Sequence, residues 1–227
     1  MKIGILQTGH SADELRDSLG DYSDLFQNLL AGNGFEFDVY DVVDGIFPAS
    51  HHDADAWLIT GSKHGAYEDH PWIPPLEILI RAIYEQKIPL VGVCFGHQII
   101  AQALGGRVEK FTGGWSVGRT EYEFNGQTIA LNAWHQDQVV LLPKDAKTVG
   151  SSSFCKNAMV TYGDTVFTVQ AHPEFSADVV DGLATYRSAS VPQDLVAQAR
   201  TQMSKATDNA LLAQVIAEFI RRKELVS

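Results

Sequence analysis

A cysteine stands between two glycines in the stretch GVCFGHQ (92–98), directly after the apolar run PLVGV and directly before a helix-like pattern. The spacing G-x-C-x-G is typical of a nucleophile elbow, a strand-to-helix turn so sharp that larger flanking side chains would collide. In such a corner the thiol of Cys94 lies at the positive end of the helix dipole, which favours the thiolate. The backbone N–H of Phe95 faces the same space and can stabilise an oxyanion.

Two other interpretations of Cys94 are open. A buried core thiol is the common fate of cysteine, and a redox thiol is the second alternative. The chain has no C-x-x-C pair, however, and its other cysteine, Cys155 in SSSFCKNAMV, lacks flanking glycines and a strand–helix context. We therefore interpret Cys155 as an ordinary core residue and Cys94 as a nucleophile.

A base for this thiol is predicted in VQAHPEF (169–175). His172 precedes Pro173, and a residue before proline is biased to the extended conformation. In extended chain His172 and Glu174 lie on the same side, about 6–7 Å apart at Cα, so that Glu174 can orient the imidazole toward a nucleophile. A surface histidine beside a surface glutamate would show the same H-x-E spacing, but the elbow favours a catalytic pair.

The other histidines are expected to have simpler roles. His97, inside the elbow helix, is expected to pack or to line the pocket. His51 and His52 in ASHHDADA are expected in a solvated loop, and their spacing is not that of metal ligands. The sequence predicts no metal site and no cofactor.

Strand and helix patterns alternate through the first half of the chain. The runs KIGIL, FEFDVYDV, AWLIT and PLVGV are strand-like, whereas helical periods follow Tyr22, Pro74–Pro75 and Cys94. Alternation with continuously apolar strands predicts a mostly parallel sheet that is covered by helices on both faces.

The pattern changes after residue 106. RTEYEF and QTIAL flank Asn125–Gly126, a type I′ hairpin signal, and AMVTYGDTVFTVQAH predicts a second hairpin that turns at Gly163–Asp164. Helical segments are expected from about 176, at about 193–205 and at 208–223. The predicted architecture is α/β with a mostly parallel sheet, some antiparallel strands and a helical C-terminal tail. We expect one domain over 1–227, with a core at about 1–185 and the tail at about 186–227.

Composition limits the partners. The 227 residues are 45% hydrophobic and 20% charged, which suffices for one substantial core. The net charge of −11 repels phosphate backbones, so we expect a small-molecule substrate and no nucleic acid. No run approaches the roughly 20 apolar residues of a membrane span, and MKIGILQTGH lacks the pattern of a signal peptide. We expect a cytoplasmic protein without membrane contact.

Taken together, GVCFGHQ (92–98) and HPE (172–174) resemble the motifs of the class I (triad) glutamine amidotransferase family, and the resemblance extends over about residues 1–185. It implies a flavodoxin-like α/β fold. It also implies that Cys94 attacks the γ-carboxamide of glutamine to give a γ-glutamyl thioester and ammonia. His172 would then be the general base and acid, and Glu174 its orienting partner.

The same resemblance implies an oxyanion hole that combines the N–H of Phe95 with one from the loop TGSKHGAYED (60–69), at Gly61 or Ser62. In the family this loop commonly reads S-G-G-P, and Ser62 stands where the second glycine is usual. A backbone N–H serves as an oxyanion donor whichever side chain the residue carries, so Ser62 is compatible with this role.

Substrate-binding residues are also implied. Gln98 matches the glutamine that helps to hold the α-amino acid end of the substrate. TGGWSVG (112–118) matches a segment that brackets this end, through Gly114, Trp115 and Ser116, although a plain glycine-rich turn explains the stretch equally well. WHQDQVVLLP resembles a family stretch that would place His135 and Asp137 beside the site or in structural roles.

The segments TGSKHGAYED and GILQTGH…GDYSDLF resemble the stand-alone branch of the family more than its synthetase-fused members. This branch is similar to GMP synthase glutaminase domains and γ-glutamyl peptidases. We expect no synthase domain here, and no G-x-x-x-x-G-K-[ST] phosphate loop is present. The chain is then either a glutaminase that supplies ammonia to a separate synthase subunit or a γ-glutamyl peptidase acting on γ-glutamyl peptides or amines. A non-catalytic regulatory or binding module on the same fold is the third alternative, against which the set Cys94, His172 and Glu174 argues.

Overall fold

Short apolar runs form the strands of an α/β fold in the computed structural model, which describes residues 1–222. The strands of the first half are β1 (Lys2–Leu6), β2 (Glu36–Tyr40), β3 (Ala56–Ile59), β4 (Leu90–Val93) and β5 (Arg107–Lys110). Those of the second half are β6 (Ser116–Phe124), β7 (Gln127–His135), β8 (Asp137–Leu141), β9 (Ala146–Ser151), β10 (Met159–Tyr162) and β11 (Val166–Val169). The α-helices are α1 (Asp13–Leu19), α2 (Tyr22–Leu29), α3 (Ile73–Glu85), α4 (Phe95–Ala103), α5 (Ala177–Tyr186), α6 (Gln193–Gln202) and α7 (Asn209–Arg221).

The central sheet has the strand order β2-β1-β3-β4-β11-β10-β9-β6-β7. In this order, the first five strands, β2, β1, β3, β4 and β11, pair in parallel with their neighbours. The remaining strands, β10, β9, β6 and β7, extend the sheet in antiparallel pairs. Val93 at the end of β4 pairs with Val169 at the end of β11. Because the carboxyl ends of parallel strands meet at one edge, this register places Cys94 and the segment that carries His172 at the same edge of the sheet.

Alternate residues of the strands pack into two apolar clusters on opposite faces. Leu58 of β3 belongs to the cluster that α2 and α7 cover, whereas Trp57 and Ile59 belong to the cluster that α3 and α4 cover. Burial on both faces explains why the strands are continuously apolar. The carboxy-terminal α7 contributes Leu212, Ile216, Phe219 and Ile220 to the first cluster, so it is part of the core. The last predicted tail residues, 223–227, lie outside the described residues.

Several local predictions are confirmed. Asn125 and Gly126 both have positive φ, 49° and 77°, as a type I′ turn between β6 and β7 requires. The second hairpin joins β10 and β11 around Gly163, and α5, α6 and α7 form the helical carboxy-terminal part. In the described part of the chain, no helix combines the length and the apolar character that crossing a bilayer requires.

Other elements were not predicted. The short helix α1 has Leu15 as its buried residue, so its sequence lacks the apolar helical period from which a helix is predicted. Strands β5 and β8 pair antiparallel as a separate two-stranded sheet, and β9 joins the central sheet between β10 and β6. These strands depend on pairing with distant segments, which a local pattern does not contain.

Candidate active site

Cys94 forms the corner between β4 and α4 with φ 53° and ψ −102°. A non-glycine residue at positive φ is strained and persists where its surroundings hold it. The N–H of Cys94 donates to the carbonyl of Val169 (2.9 Å), and the N–H of Gly96 donates to that of Thr60 (3.1 Å). The ends of β11 and β3 therefore hold both sides of the corner.

The two glycines of the elbow allow backbones to touch. A Cβ on Gly96 would lie 2.3 Å from the carbonyl oxygen of Ile59, and a Cβ on Gly92 would lie 2.6 Å from the carbonyl carbon of Gly96. Both contacts are far shorter than packed carbon atoms permit. The G-x-C-x-G pattern is thus explained by close approach of α4 to β3 and β4.

The substitution Gly96→Ala is expected to lower the free energy of unfolding by about 3 kcal/mol, because the new methyl group meets a backbone carbonyl that cannot move aside. Gly45→Ala is the matched control: Gly45 has φ 83° but open space around its Cα, so only backbone strain of about 1–2 kcal/mol is expected. Urea unfolding of both variants measures the difference. Equal losses would show that close packing at the elbow is not the cause.

His172 and Glu174 form a buried pair beside this corner. Nδ1 of His172 lies 2.6 Å from Oε1 of Glu174, and the two side chains are 5% and 1% exposed. The imidazole stacks on the ring of Phe175 at 3.8 Å between centroids, and the N–H of His172 donates to the carbonyl of Asn132. Because a carboxylate only accepts, Nδ1 carries the proton and Nε2 is left for a reacting group.

The charge state of His172 is set by its neighbours. Burial disfavours the imidazolium, but Cys94 and Glu174 outweigh it and raise the pKa of His172 to about 10. A Cβ on Gly61 would lie 3.0 Å from Cε1 of His172 and 3.7 Å from Cβ of Cys94. Both side chains therefore flank the backbone of Gly61, in an arrangement suited to a thiolate–imidazolium pair.

Cys94 and His172 open into one cavity of about 370 Å³, at the small end of the range for small-molecule sites. Aromatic side chains supply much of its wall, namely Tyr22, Tyr67, Trp115, Trp134 and Phe175. Charged side chains line it as well, namely Lys63, Glu68, Lys110, Asp137 and Arg187. The sequence did not predict the aromatic residues of the cavity wall other than Trp115, because they come from separate segments and share no motif.

The loop after β3 is anchored by side chains. Oγ of Ser62 donates to the carbonyl of Thr8 (2.7 Å), and Oγ1 of Thr8 donates to the carbonyl of Gly61 (3.1 Å). In a trans peptide the N–H of Ser62 points opposite to the carbonyl of Gly61, hence away from Thr8. Ser62 therefore gives the loop an anchor that a second glycine would lack, while its N–H remains a candidate oxyanion donor. A further candidate, the N–H of Phe95, is in the first turn of α4 and has no intrahelical partner.

The predicted substrate-binding residues are distributed unevenly. Gln98 and Trp115 line the cavity, and Nε2 of Gln98 donates to the carbonyl of Asp137 (3.0 Å) and to Oε1 of Gln170 (3.1 Å). Ser116 begins β6 with its hydroxyl 3.4 Å from that of Thr120. Among the described residues that border the cavity, Trp115 appears without its neighbours Gly114 and Ser116.

Two buried histidines near the site are neutral. His135 lines the cavity, with Nδ1 3.2 Å from the carbonyl of Asp137, and burial lowers its pKa to about 4. His97 is a buried residue of the elbow helix α4 with Nδ1 2.8 Å from Oγ1 of Thr168, and burial, together with repulsion from His135 once that ring is protonated in acid, lowers the pKa of His97 to about 3. His97 thus packs, as expected, and Asp137 and His135 lie beside the site.

These neutral histidines predict acid sensitivity. The unfolded chain binds a proton at His97 near pH 6.5, but the folded chain does so only near pH 3, so the stability contributed by neutral His97 is complete above pH 6.5 and is lost as pH drops below it. Each such group contributes a slope of up to about 1.4 kcal/mol per pH unit. The free energy of unfolding, measured with urea at several values between pH 7 and 4, should fall less steeply with decreasing pH for His97→Gln than for the unsubstituted chain. Parallel slopes would contradict the assignment.

The remaining candidates have structural environments. Cys155 is a buried free thiol, and burial raises its pKa to about 12, so it stays protonated. His52 is exposed, and the carbonyl of His51 accepts a hydrogen bond from Nε1 of Trp57 (3.0 Å). Both observations agree with the roles expected from the sequence.

Comparison with known proteins bears on the same residues. The family model described as glutamine amidotransferase class-I matches residues 28–184. Gamma-glutamyl peptidase 3 of Arabidopsis thaliana is 27% identical over 219 residues, which cover 88% of each chain. The glutamine-hydrolyzing GMP synthase of Thermotoga maritima is 31% identical over 166 residues, which cover 68% of this chain and 31% of that one.

A crystal structure of a glutamine amido transferase from Methylobacillus flagellatus has the same fold. It matches 100% of this chain and 94% of its own with a TM-score of 0.76, at 22% sequence identity. This likeness confirms the flavodoxin-like α/β architecture with a helical carboxy terminus. Because the family model covers more than half of the chain, including Cys94, His172 and Glu174, the chain belongs to the class I glutamine amidotransferase family.

Proposed function

We propose that this protein cleaves the γ-amide bond of glutamine or of a γ-glutamyl compound through a γ-glutamyl thioester on Cys94. One observation carries the proposal: the strained elbow cysteine, at φ 53°, borders the same cavity as His172, whose Nδ1 lies 2.6 Å from Oε1 of Glu174. A strained nucleophile beside a buried, charge-paired imidazole is typical of covalent catalysis.

Acylation would begin from the thiolate of Cys94 and the imidazolium of His172. The sulfur attacks the γ-carbonyl carbon, and the carbonyl oxygen becomes an oxyanion that accepts hydrogen bonds from the N–H groups of Phe95 and of the Gly61–Ser62 peptide. His172 then donates its Nε2 proton to the leaving nitrogen. The C–N bond breaks, ammonia or an amine departs, and the thioester remains.

Deacylation would follow the same path with water. Nε2 of His172 accepts a proton from the attacking water, the tetrahedral intermediate collapses, and the sulfur leaves as a thiolate. The product is a γ-carboxylic acid that loses its proton to solvent, and the thiolate–imidazolium pair is restored. Glu174 would hold the ring orientation throughout and stabilise the imidazolium.

For the α-amino acid end of the substrate we propose Gln98, Gly114, Trp115 and Ser116. Gln98 and Trp115 have the stronger support because both line the cavity. Nε2 of Gln98 already donates hydrogen bonds to Asp137 and Gln170. We therefore propose that Gln98 stiffens the cavity wall and also contacts the substrate.

Two forms of this function differ in which compound is cleaved and in where the released nitrogen goes. A γ-glutamyl peptidase activity is favoured by the Arabidopsis relative, which matches this chain over 88% of both lengths. Supply of ammonia to a separate synthase subunit is favoured by the match to part of a GMP synthase. Because both cysteines are free thiols, we propose a reducing compartment, the cytoplasm, for either activity.

The test is a substrate panel of glutamine, γ-glutamyl dipeptides and γ-glutamyl amines, with product identification and intact-mass detection of the acid-quenched thioester. Release of amino acids from γ-glutamyl dipeptides by the protein alone supports the peptidase. Ammonia release from glutamine only after a synthase subunit is added supports the amidotransferase. If no substrate forms a thioester or product under either condition, the proposal fails and a binding module explains the fold.

A further inference from the structure

A second group of ligating side chains has two members in the cavity wall and takes no part in the proposed hydrolysis. His64, Glu68 and His70 each offer one ligand atom, and these atoms all lie within 4.8 Å of one another. Oε2 of Glu68 lies 2.8 Å from Nε2 of His70 and 3.5 Å from Nδ1 of His64. We propose that this cluster binds a divalent zinc-type cation and that the bound ion restrains the proposed hydrolysis, a regulatory role that rests on the proposed function.

The donor set selects the class of ion. Two imidazole nitrogens and one carboxylate oxygen suit Zn²⁺ and other borderline transition metals, whereas Ca²⁺ and Mg²⁺ prefer all-oxygen sites. Three protein ligands also leave a position for water, as in open zinc sites. The side chains of His64, Glu68 and His70 are 22%, 44% and 30% exposed, so a hydrated ion can reach them.

The loop that carries the ligands is already ordered. The N–H of His64 donates to Oγ of Ser62 (3.2 Å), and Nε2 of Gln102 donates to the carbonyl of Ala66 (2.7 Å). The N–H of His70 donates to the carbonyl of Glu68 (3.1 Å), and the ring of His70 stacks on Trp72 at an interplanar angle of 12°. Binding would therefore cost little backbone ordering, since mainly side-chain rotations bring three donors onto one ion.

An ordinary network of hydrogen bonds is the competing explanation, because Glu68 already contacts both imidazoles. That network would account for the same distances without an ion. The two explanations differ in one measurable respect: only a metal site binds zinc with an affinity that depends on His64 and His70 together.

The position of the cluster gives the ion a consequence. His64 and Glu68 line the cavity that Cys94 and His172 also line. The same loop begins at Gly61–Ser62, whose peptide N–H is a proposed oxyanion donor. An ion bound to these side chains would take up space in the cavity that the substrate must enter, so we expect it to slow turnover.

Binding is best measured in the Cys94→Ala protein, because a catalytic thiolate beside an imidazole is itself a zinc ligand. Calorimetric titration with Zn²⁺ should show one site per chain, and His64→Ala and His70→Ala, each in that background, should weaken it at least about tenfold. His52→Ala, at an exposed histidine outside the cluster, is the matched control and should bind as before. Absence of zinc binding, or binding indifferent to both cluster substitutions, overturns the proposal.

Regulation is tested on the protein with Cys94 intact. Without added metal His70→Ala should turn over γ-glutamyl substrates at the unsubstituted rate, and it should need at least about tenfold more Zn²⁺ for half-inhibition. Equal inhibition of both proteins would show that zinc acts elsewhere, and it overturns the regulatory role. Absence of turnover without zinc would contradict the proposed function instead, and the binding measurement would still decide the metal site.

Discussion

Cys94→Ser is expected to reduce kcat/KM for γ-glutamyl substrates by at least about 10⁴-fold, because loss of a covalent nucleophile reduces enzyme rates by factors of this size. A serine hydroxyl at the elbow is far harder to ionise than a thiol, so His172 would face a neutral group in place of a thiolate. The cavity and the oxyanion donors stay in place, and binding of substrate should change much less than turnover. Steady-state kinetics and the loss of the acid-quenched thioester measure the effect.

The matched control is Cys155→Ala. Cys155 is a buried core thiol whose raised pKa, about 12, keeps it protonated, so its loss should cost stability and leave the rate of the folded protein nearly unchanged. Thermal unfolding of both variants separates folding from catalysis. If Cys94→Ser kept more than a tenth of the activity while folded, Cys94 would not be the nucleophile.

Glu174→Gln is expected to lower kcat/KM by about 10²–10⁴-fold. Oε1 of Glu174 accepts from Nδ1 of His172 at 2.6 Å, whereas Oε2 is buried without a hydrogen-bond partner among the described residues. An amide at this position can donate to Nδ1, which would stabilise the wrong tautomer of the imidazole. The fold should tolerate the change because the two side chains have nearly the same shape.

The pH profile gives this variant a distinct signature. Glu174 is one of the two groups that raise the pKa of His172 to about 10 against the effect of burial, so removal of its charge should lower that pKa. Because a thiolate–imidazolium pair loses activity when the imidazolium deprotonates, the alkaline limb of kcat/KM should move to lower pH. Glu36→Gln, at an exposed strand residue, should leave the limb unchanged. An unshifted limb in Glu174→Gln would mean that Glu174 does not set the charge of His172.

The parts of the candidate site that could be predicted from sequence are those set within a few residues. The spacing in 92–96 defines the elbow, because a side chain on Gly92 would collide with the backbone of Gly96 four residues later. The spacing in 172–174 defines the histidine–glutamate pair, because extended backbone places alternate side chains on one side. The turn at Asn125–Gly126 belongs to the same class, since positive φ is a local requirement.

Long-range pairing accounts for what was missed. Strand β9 has no strong alternation of its own, yet it pairs with β10 and β6. Helix α1 buries mainly Leu15 and is held by its neighbours rather than by an apolar stripe. The cavity walls contributed by Tyr22, Trp134 and Arg187 come from segments far apart in the chain, and no motif joins them.

By itself the sequence determined the α/β class, the elbow at Cys94 and the partnership of His172 with Glu174, because each follows from local backbone geometry and side-chain period. Only the tertiary structure decided that the two halves of the site meet. The parallel register of β4 on β11, with Val93 opposite Val169, sets the distance between thiol and imidazole, and it depends on how the whole sheet packs. The same packing removes water from His97 and His135 and so keeps them neutral.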